Sequence, residues 1–197
     1  MKNNSLIIIP TYNEAENIEL IINKIISIDN SNDVLVVDDN SPDGTSEIVN
    51  NLNNIHDSRV FLIKRDKKSG LGSAYRTGFK WALDNKYSYI FQMDADMSHD
   101  PNEIKNLKIQ LTQNKYDFVI GSRYIEGVSV VNWPLSRIFL SYFANLYVRS
   151  ITCMPVKDAT SGFVGYTKKA LNSIELSEIK FNGYASVSYT HLTLPTT

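Results

Sequence analysis

Leu6–Ile9, Val34–Val37, Val60–Ile63, Tyr89–Met93 and Phe118–Ile120 are short apolar runs, each followed by a polar loop. Between them lie segments with apolar residues three and four apart. Ile18, Ile21, Ile22, Ile25 and Ile26 follow the first run, Ser46–Leu52 the second, Ala74–Asn85 the third and Pro101–Gln113 the fourth. Runs this short and this apolar suit strands buried on both faces, and the intervening period suits helices. Strands alternating with helices specify an α/β fold: a Rossmann-like, mostly parallel sheet flanked by helices, built as a single domain. Ligands of such sheets sit outside the carboxyl ends of the strands. Pro10–Glu14, Asp38–Thr45, Asp94–Ser98 and Gly121–Tyr124 are therefore expected on one edge.

The fourth run leads straight into Asp94-Ala95-Asp96. Two carboxylates at i and i+2, just past a strand's end, can converge on one hard cation, Mg2+ or Mn2+, whose open positions suit the oxygens of a nucleotide diphosphate. The plainer reading of the same residues is an acidic, solvated turn. Asp38 and Asp39 close the second run, where a carboxylate can accept hydrogen bonds from a ribose or base, or can serve as a helix cap. Tyr12 is a core aromatic or a ring against a base. Gly70-Leu71-Gly72, in the basic loop Asp66–Ser73, lets backbone approach a ligand, but it neither carries the lysine of a phosphate loop nor opens the first βα turn. His99 reads as a structural turn residue.

A formal net charge of -1 leaves no global basic field, so nucleic acid is not an expected partner and any anion site must be local. Cys153, the single cysteine, forms no internal disulfide and reads as a small apolar residue. The apolar run after Ser5 is too short for a signal core or a membrane span, which points to the cytoplasm. From Trp133 to Arg149 aromatic and apolar residues are punctuated by Arg137 and Arg149. That pattern suits a helix at a membrane interface or, equally, a core helix. Arg137 and Ser141, at i and i+4, share a helical face and could gather with Arg123 around a phosphate.

Pro10-Thr11-Tyr12-Asn13-Glu14, Asp38-Asp39-Asn40-Ser41-Pro42-Asp43-Gly44-Thr45, Gly70-Leu71-Gly72-Ser73-Ala74-Tyr75, Asp94-Ala95-Asp96-Met97-Ser98-His99 and Gly121-Ser122-Arg123-Tyr124, in that order, resemble the family 2 glycosyltransferases. Within them the dolichol-phosphate (polyprenol-phosphate) mannosyltransferases are most similar, over about residues 5–184. The resemblance implies a GT-A fold and metal-dependent transfer of a hexose onto a polyprenyl or dolichyl phosphate with inversion. The hexose would be mannose, from GDP-mannose. By matching position, Pro10, Tyr12, Glu14, Val37 and Asp39 would bind the nucleotide, Asp94 and Asp96 the metal, with Ala95 beside the donor and Ser98 near the cation. Arg123, Arg137 and Ser141 would receive the acceptor phosphate, on a protein lying peripherally on the cytoplasmic face of a membrane. An acceptor that is already anionic needs orientation and charge shielding rather than a general base.

The chain departs from the family pattern in two places. Val164 follows Asp158-Ala159-Thr160-Ser161-Gly162-Phe163, where relatives commonly carry arginine, and Ala185–Thr197 lacks both helical period and the family's basic residues. Residues 1–184 are thus expected to form a C-terminally truncated catalytic domain and 185–197 a foreign, artefactual tail. The competing readings are glucosyl or other hexosyl transfer to undecaprenyl phosphate or a saccharide hydroxyl, and a non-catalytic nucleotide-sugar-binding remnant. Haloacid-dehalogenase phosphatases also follow a strand with paired aspartates, but near the N-terminus rather than mid-chain as here.

Overall fold

All five apolar runs form strands, and a sixth joins them. The computed structural model describes residues 4–113, 116–122, 143, 146, 147, 150, 158 and 161–173. Its strands are β1 (Ser5–Thr11), β2 (Asn32–Asp38), β3 (Val60–Lys64), β4 (Tyr89–Gln92), β5 (Phe118–Ile120) and β6 (Val164–Thr167). They form one sheet in the order β3-β2-β1-β4-β6-β5. β1 lies between β2 and β4, parallel to both, and β3 is parallel to β2. Strand order thus reverses beside β1: β2 and β3 build outward on one side, β4 on the other. The crevice at the carboxyl ends of β1 and β4 is the switch point where doubly wound sheets take ligands.

β6 is absent from the sequence reading. It runs antiparallel to both neighbours, pairing Phe91 with Gly165 on one side and Val119 with Gly165 on the other. Four residues with a glycine among them give little local strand signal, so the ladders on both sides decide the conformation. That glycine is sterically required, because a Cβ on Gly165 would stand 2.7 Å from Phe91 Cε1.

The helices cover both faces. On one, α1 (Ile18–Ile28), α2 (Thr45–Ile55) and α4 (Glu103–Gln113) bury the five α1 isoleucines, Val49, Leu52, Ile104 and Leu107 against Ile7, Ile9, Val34, Val36, Phe91 and Met93. On the other, α3 (Leu71–Asp84) and α5 (Lys168–Ser173) set Ala74, Tyr75, Phe79, Ala82 and Leu171 on Leu6, Ile8, Leu35, Val37, Ile90, Val164 and Tyr166. Each fully buried isoleucine contributes about 1.5–3 kcal/mol of transfer free energy. α3 lies so close to β1 that a Cβ on Gly78 would meet Ile8 Cγ2 at 2.6 Å.

Helix starts differ from the sequence reading by a few residues. α1 begins at Ile18 rather than within Asn13–Glu16, because a turn intervenes in which Glu14 O accepts the amides of Asn17 and Ile18 at 3.1 and 2.9 Å. α3 begins at Leu71, three residues before Ala74, directly after Gly70 at φ +91°, a backbone state that glycine adopts without Cβ strain.

Candidate active site

Of the two aspartates closing β2, Asp38 turns inward. It is fully buried and accepts hydrogen bonds from Thr11 Oγ1 at 2.8 Å, Ser41 N at 2.9 Å, Ser46 Oγ at 2.8 Å and the Ser41 hydroxyl. Burial alone would raise its carboxyl, yet the bonds from Ser41, Thr11 and Ser46 outweigh burial and hold it below the usual range. Of the two roles open to Asp38 in the sequence, ribose or base ligand and loop organiser, it occupies the second. The β1–α1 loop is tied to the same turn. Asn13 N donates to Ser41 Oγ at 2.9 Å, Glu14 N to Thr45 Oγ1 at 3.1 Å and Ala15 N to Asp43 Oδ2 at 3.0 Å.

Asp39 turns the other way, toward the β3–α3 loop. One of its oxygens takes the Arg65 guanidinium and the other the Ser69 amide at 3.0 Å. Arg65 continues to Ser73 Oγ at 2.8 Å and to Gly70 O at 3.3 Å, so a single side chain spans the glycine-bearing loop. Arg65 went unassigned in the sequence; the signal was its position at the end of β3, on the same edge. Tyr12 is 39% exposed, and the Lys68 ammonium lies 3.8 Å from its ring centroid. A ring this exposed, with a cation over one face, is not part of the core. Glu14 and Pro10 are half-buried beside it, and Val37 is fully buried in the layer under α3.

Beyond β4, Asp94 is half-buried and receives the Tyr75 hydroxyl on Oδ1 at 3.1 Å. Gly162 faces its other oxygen: a Cβ there would stand 2.8 Å from Oδ2. Ala95 is buried, Asp96 exposed, and Asp96 Oδ1 accepts the Ser98 amide at 3.0 Å across Met97 at φ +58°. His99 lies with its ring 5.3 Å from that of Phe163. The structure therefore brings Tyr12, Asp39, Asp94 and Asp96 to one edge. Arg123, Arg137 and Ser141 lie outside the described residues, as do Cys153 and the segment 174–197.

Among the described residues no three His, Cys, Asp or Glu side chains gather into a ready-made cage. Mg2+ or Mn2+ held by one or two carboxylates, with phosphate oxygens and water completing the shell, needs none. An oriented Asp94 beside an exposed Asp96 fits that requirement. No helix among the described residues is long and apolar enough to cross a membrane.

Comparison with known proteins agrees with this arrangement. Residues 6–175 match Glycosyl transferase family 2. The chain is 42% identical over 180 residues to a polyprenol monophosphomannose synthase of Mycolicibacterium smegmatis, covering 91% of this chain and 68% of that protein. It is 40% identical over 179 residues to an undecaprenyl-phosphate mannosyltransferase of Micrococcus luteus, covering 91% and 72%. Among solved structures, a mannosyltransferase of Pyrobaculum calidifontis in complex with GDP-Man and Mn2+ superimposes with a TM-score of 0.56 at 20% identity. That superposition covers 86% of this chain and 46% of the other, and at such identity it speaks for the fold alone. An α/β sheet with its carboxyl-edge aspartates and a family match over most of its length together assign the chain to the family 2 glycosyltransferases, with a GT-A fold.

Proposed function

We propose that the chain transfers a mannosyl group from GDP-mannose to a polyprenyl phosphate, inverting the anomeric carbon. An oxygen of the acceptor phosphate attacks C1 of the sugar, the bond from C1 to the β-phosphate oxygen breaks, and its electron pair leaves with GDP. The observation that carries this reading is the Asp94 and Asp96 pair at the end of β4, flanking the switch point and sharing its edge with Tyr12 and Asp39. The two relatives at 40–42% identity, one named a polyprenol monophosphomannose synthase and the other an undecaprenyl-phosphate mannosyltransferase, support the substrates.

Asp94 and Asp96 hold Mg2+ or Mn2+, with Ser98 beside it. A bound divalent cation supplies charge neutralisation to the departing diphosphate. Tyr12 packs against the base, Asp39 accepts from the nucleoside, and Pro10, Glu14 and Val37 frame it; Ala95 lies beside the donor. Arg123, Arg137 and Ser141 orient the acceptor phosphate. The attacking oxygen is already anionic, so the site's task is positioning and shielding rather than proton removal. A lipid substrate implies a peripheral seat on a membrane, and the family resemblance of the sequence favours its cytoplasmic face. Phe143, Leu146 and Tyr147, helical positions at i, i+3 and i+4, are 60%, 47% and 68% exposed and support such contact.

The test is transfer of radiolabelled mannose from GDP-mannose to a short polyprenyl phosphate with Mn2+ or Mg2+, comparing the chain with Asp96→Ala. Metal-dependent labelling of the lipid, lost in the variant, is expected. Labelling of a saccharide hydroxyl instead, or of the lipid only from another sugar nucleotide, would reject the substrates proposed.

A further inference from the structure

Asp94 is held on one oxygen and given room on the other by residues that the proposed reaction does not use. Tyr75, only 3% exposed on α3, aims its hydroxyl at Oδ1 from 3.1 Å. Its ring stacks on Phe79 at 6.0 Å between centroids and 21° between planes, and Phe79 meets the edge of Tyr166 on β6 at 5.5 Å and 78°. The hydroxyl is therefore set by a column of buried aromatics running from α3 to the strand beside β4. On the opposite side Gly162, one of two residues between Ser161 and β6, presents a bare Cα. A side chain there would meet Oδ2 at 2.8 Å and Cγ at 3.4 Å. The Gly162 segment is itself anchored. Ser161 Oγ donates to Gly121 O at 2.7 Å, and Gly121 N donates to Phe163 O at 2.8 Å.

We infer that Tyr75 is a positioning residue for Asp94, its hydroxyl and the missing side chain of Gly162 together fixing the direction in which the carboxylate meets a divalent cation. The core needs no hydroxyl at position 75, because phenylalanine would fill the same space. A phenol donated to a carboxylate makes a charge-assisted bond that locks the carboxylate's rotation, and groups that orient a metal ligand tune affinity nearly as strongly as the ligands. Asp94 follows β4 with Asp96 on an exposed turn, so the pair consists of one ligand fixed from within the fold and one exposed to solvent. On this inference the fixed ligand owes its aim to α3, the helix that precedes β4, and to the β6 approach, about 70 residues further along the chain.

The inference rests on the proposed metal-dependent reading of the site, and its test needs no sugar or acceptor. Mn2+ is titrated into the wild-type chain, Tyr75→Phe and Gly162→Ala, with and without GDP, and the free ion is read by electron paramagnetic resonance. Thermal melting without metal is followed in parallel. Tyr75→Phe is expected to weaken Mn2+ binding about tenfold or more while melting close to wild type without metal. Mannosyl transfer should recover in part as Mn2+ is raised. Gly162→Ala is expected to weaken Mn2+ binding likewise by displacing the carboxylate. A folded Tyr75→Phe with wild-type Mn2+ affinity overturns the inference; should that variant fail to fold, unchanged Mn2+ affinity in Gly162→Ala overturns it. Wild type that binds Mn2+ yet transfers no mannose counts against the proposed reaction and leaves the Tyr75 comparison intact. Wild type that binds no Mn2+ even with GDP present sinks both.

Discussion

Arg65 and Asp39 form an ion pair whose side chains are only 12% and 7% exposed, joining the end of β2 to the residue just past β3. The same guanidinium reaches Ser73 and Gly70, so one side chain ties the β3–α3 loop to the end of β2. Removing the cation would leave a buried carboxylate with only the Ser69 amide from this cluster. Arg65→Met should therefore destabilise the fold by about 3 kcal/mol, read from urea unfolding. It should also weaken GDP binding by releasing residues 66–73. Unchanged stability would mean that the pair is solvated in solution rather than closed.

Asp38 should govern part of the acid response. Its carboxyl is lowered because the Ser41, Thr11 and Ser46 bonds outweigh burial. A carboxyl lowered by folding stabilises fully above its unfolded value of about 3.9 and loses that contribution as pH falls through the folded value. Asp29 is lowered in the same way, with Lys108 and Ser31 outweighing burial, and so is Asp43 through Thr45 and Ala15. Asp38→Asn should cost about 1–3 kcal/mol at pH 7 and flatten, without abolishing, the loss of stability below about pH 4. Denaturant midpoints measured between pH 7 and pH 2 check both expectations, and an unchanged acid limb would contradict the role given to Asp38.

Membrane contact makes a separable claim. Phe143 and Tyr147 sit one helical turn apart and both are well exposed. Phe143→Ser with Tyr147→Ser should lower flotation with anionic lipid vesicles several-fold, while stability changes by no more than about 0.5 kcal/mol, as for exposed positions generally. Wild-type flotation in the double variant would remove this face from any lipid contact.

The sequence made the strand ends legible because an apolar run closed by polar residues is a local signal. Leu6–Ile9, Val34–Val37 and Phe118–Ile120 all form strands, and the Asp94 and Asp96 pair falls just past β4. It could not order the sheet. β6 has Gly165 at its centre and acquires its conformation from β4 and β5, so nothing local marked it as the strand that separates them.

What the chain's sequence determined by itself is the alternation of buried strands and amphipathic helices, and with it the edge where carboxylates collect, since both follow from spacing between near neighbours. What tertiary structure decided is which carboxylate does what. Asp38 and Asp39 are adjacent in sequence, yet one serves the Thr11, Ser41 and Ser46 hydroxyls and the other takes Arg65, 26 residues away. Asp94 acquires its orientation from Tyr75, 19 residues earlier. A strand sends successive side chains to opposite faces, and each meets whatever packing has delivered there; that delivery depends on long-range contacts that no local period encodes.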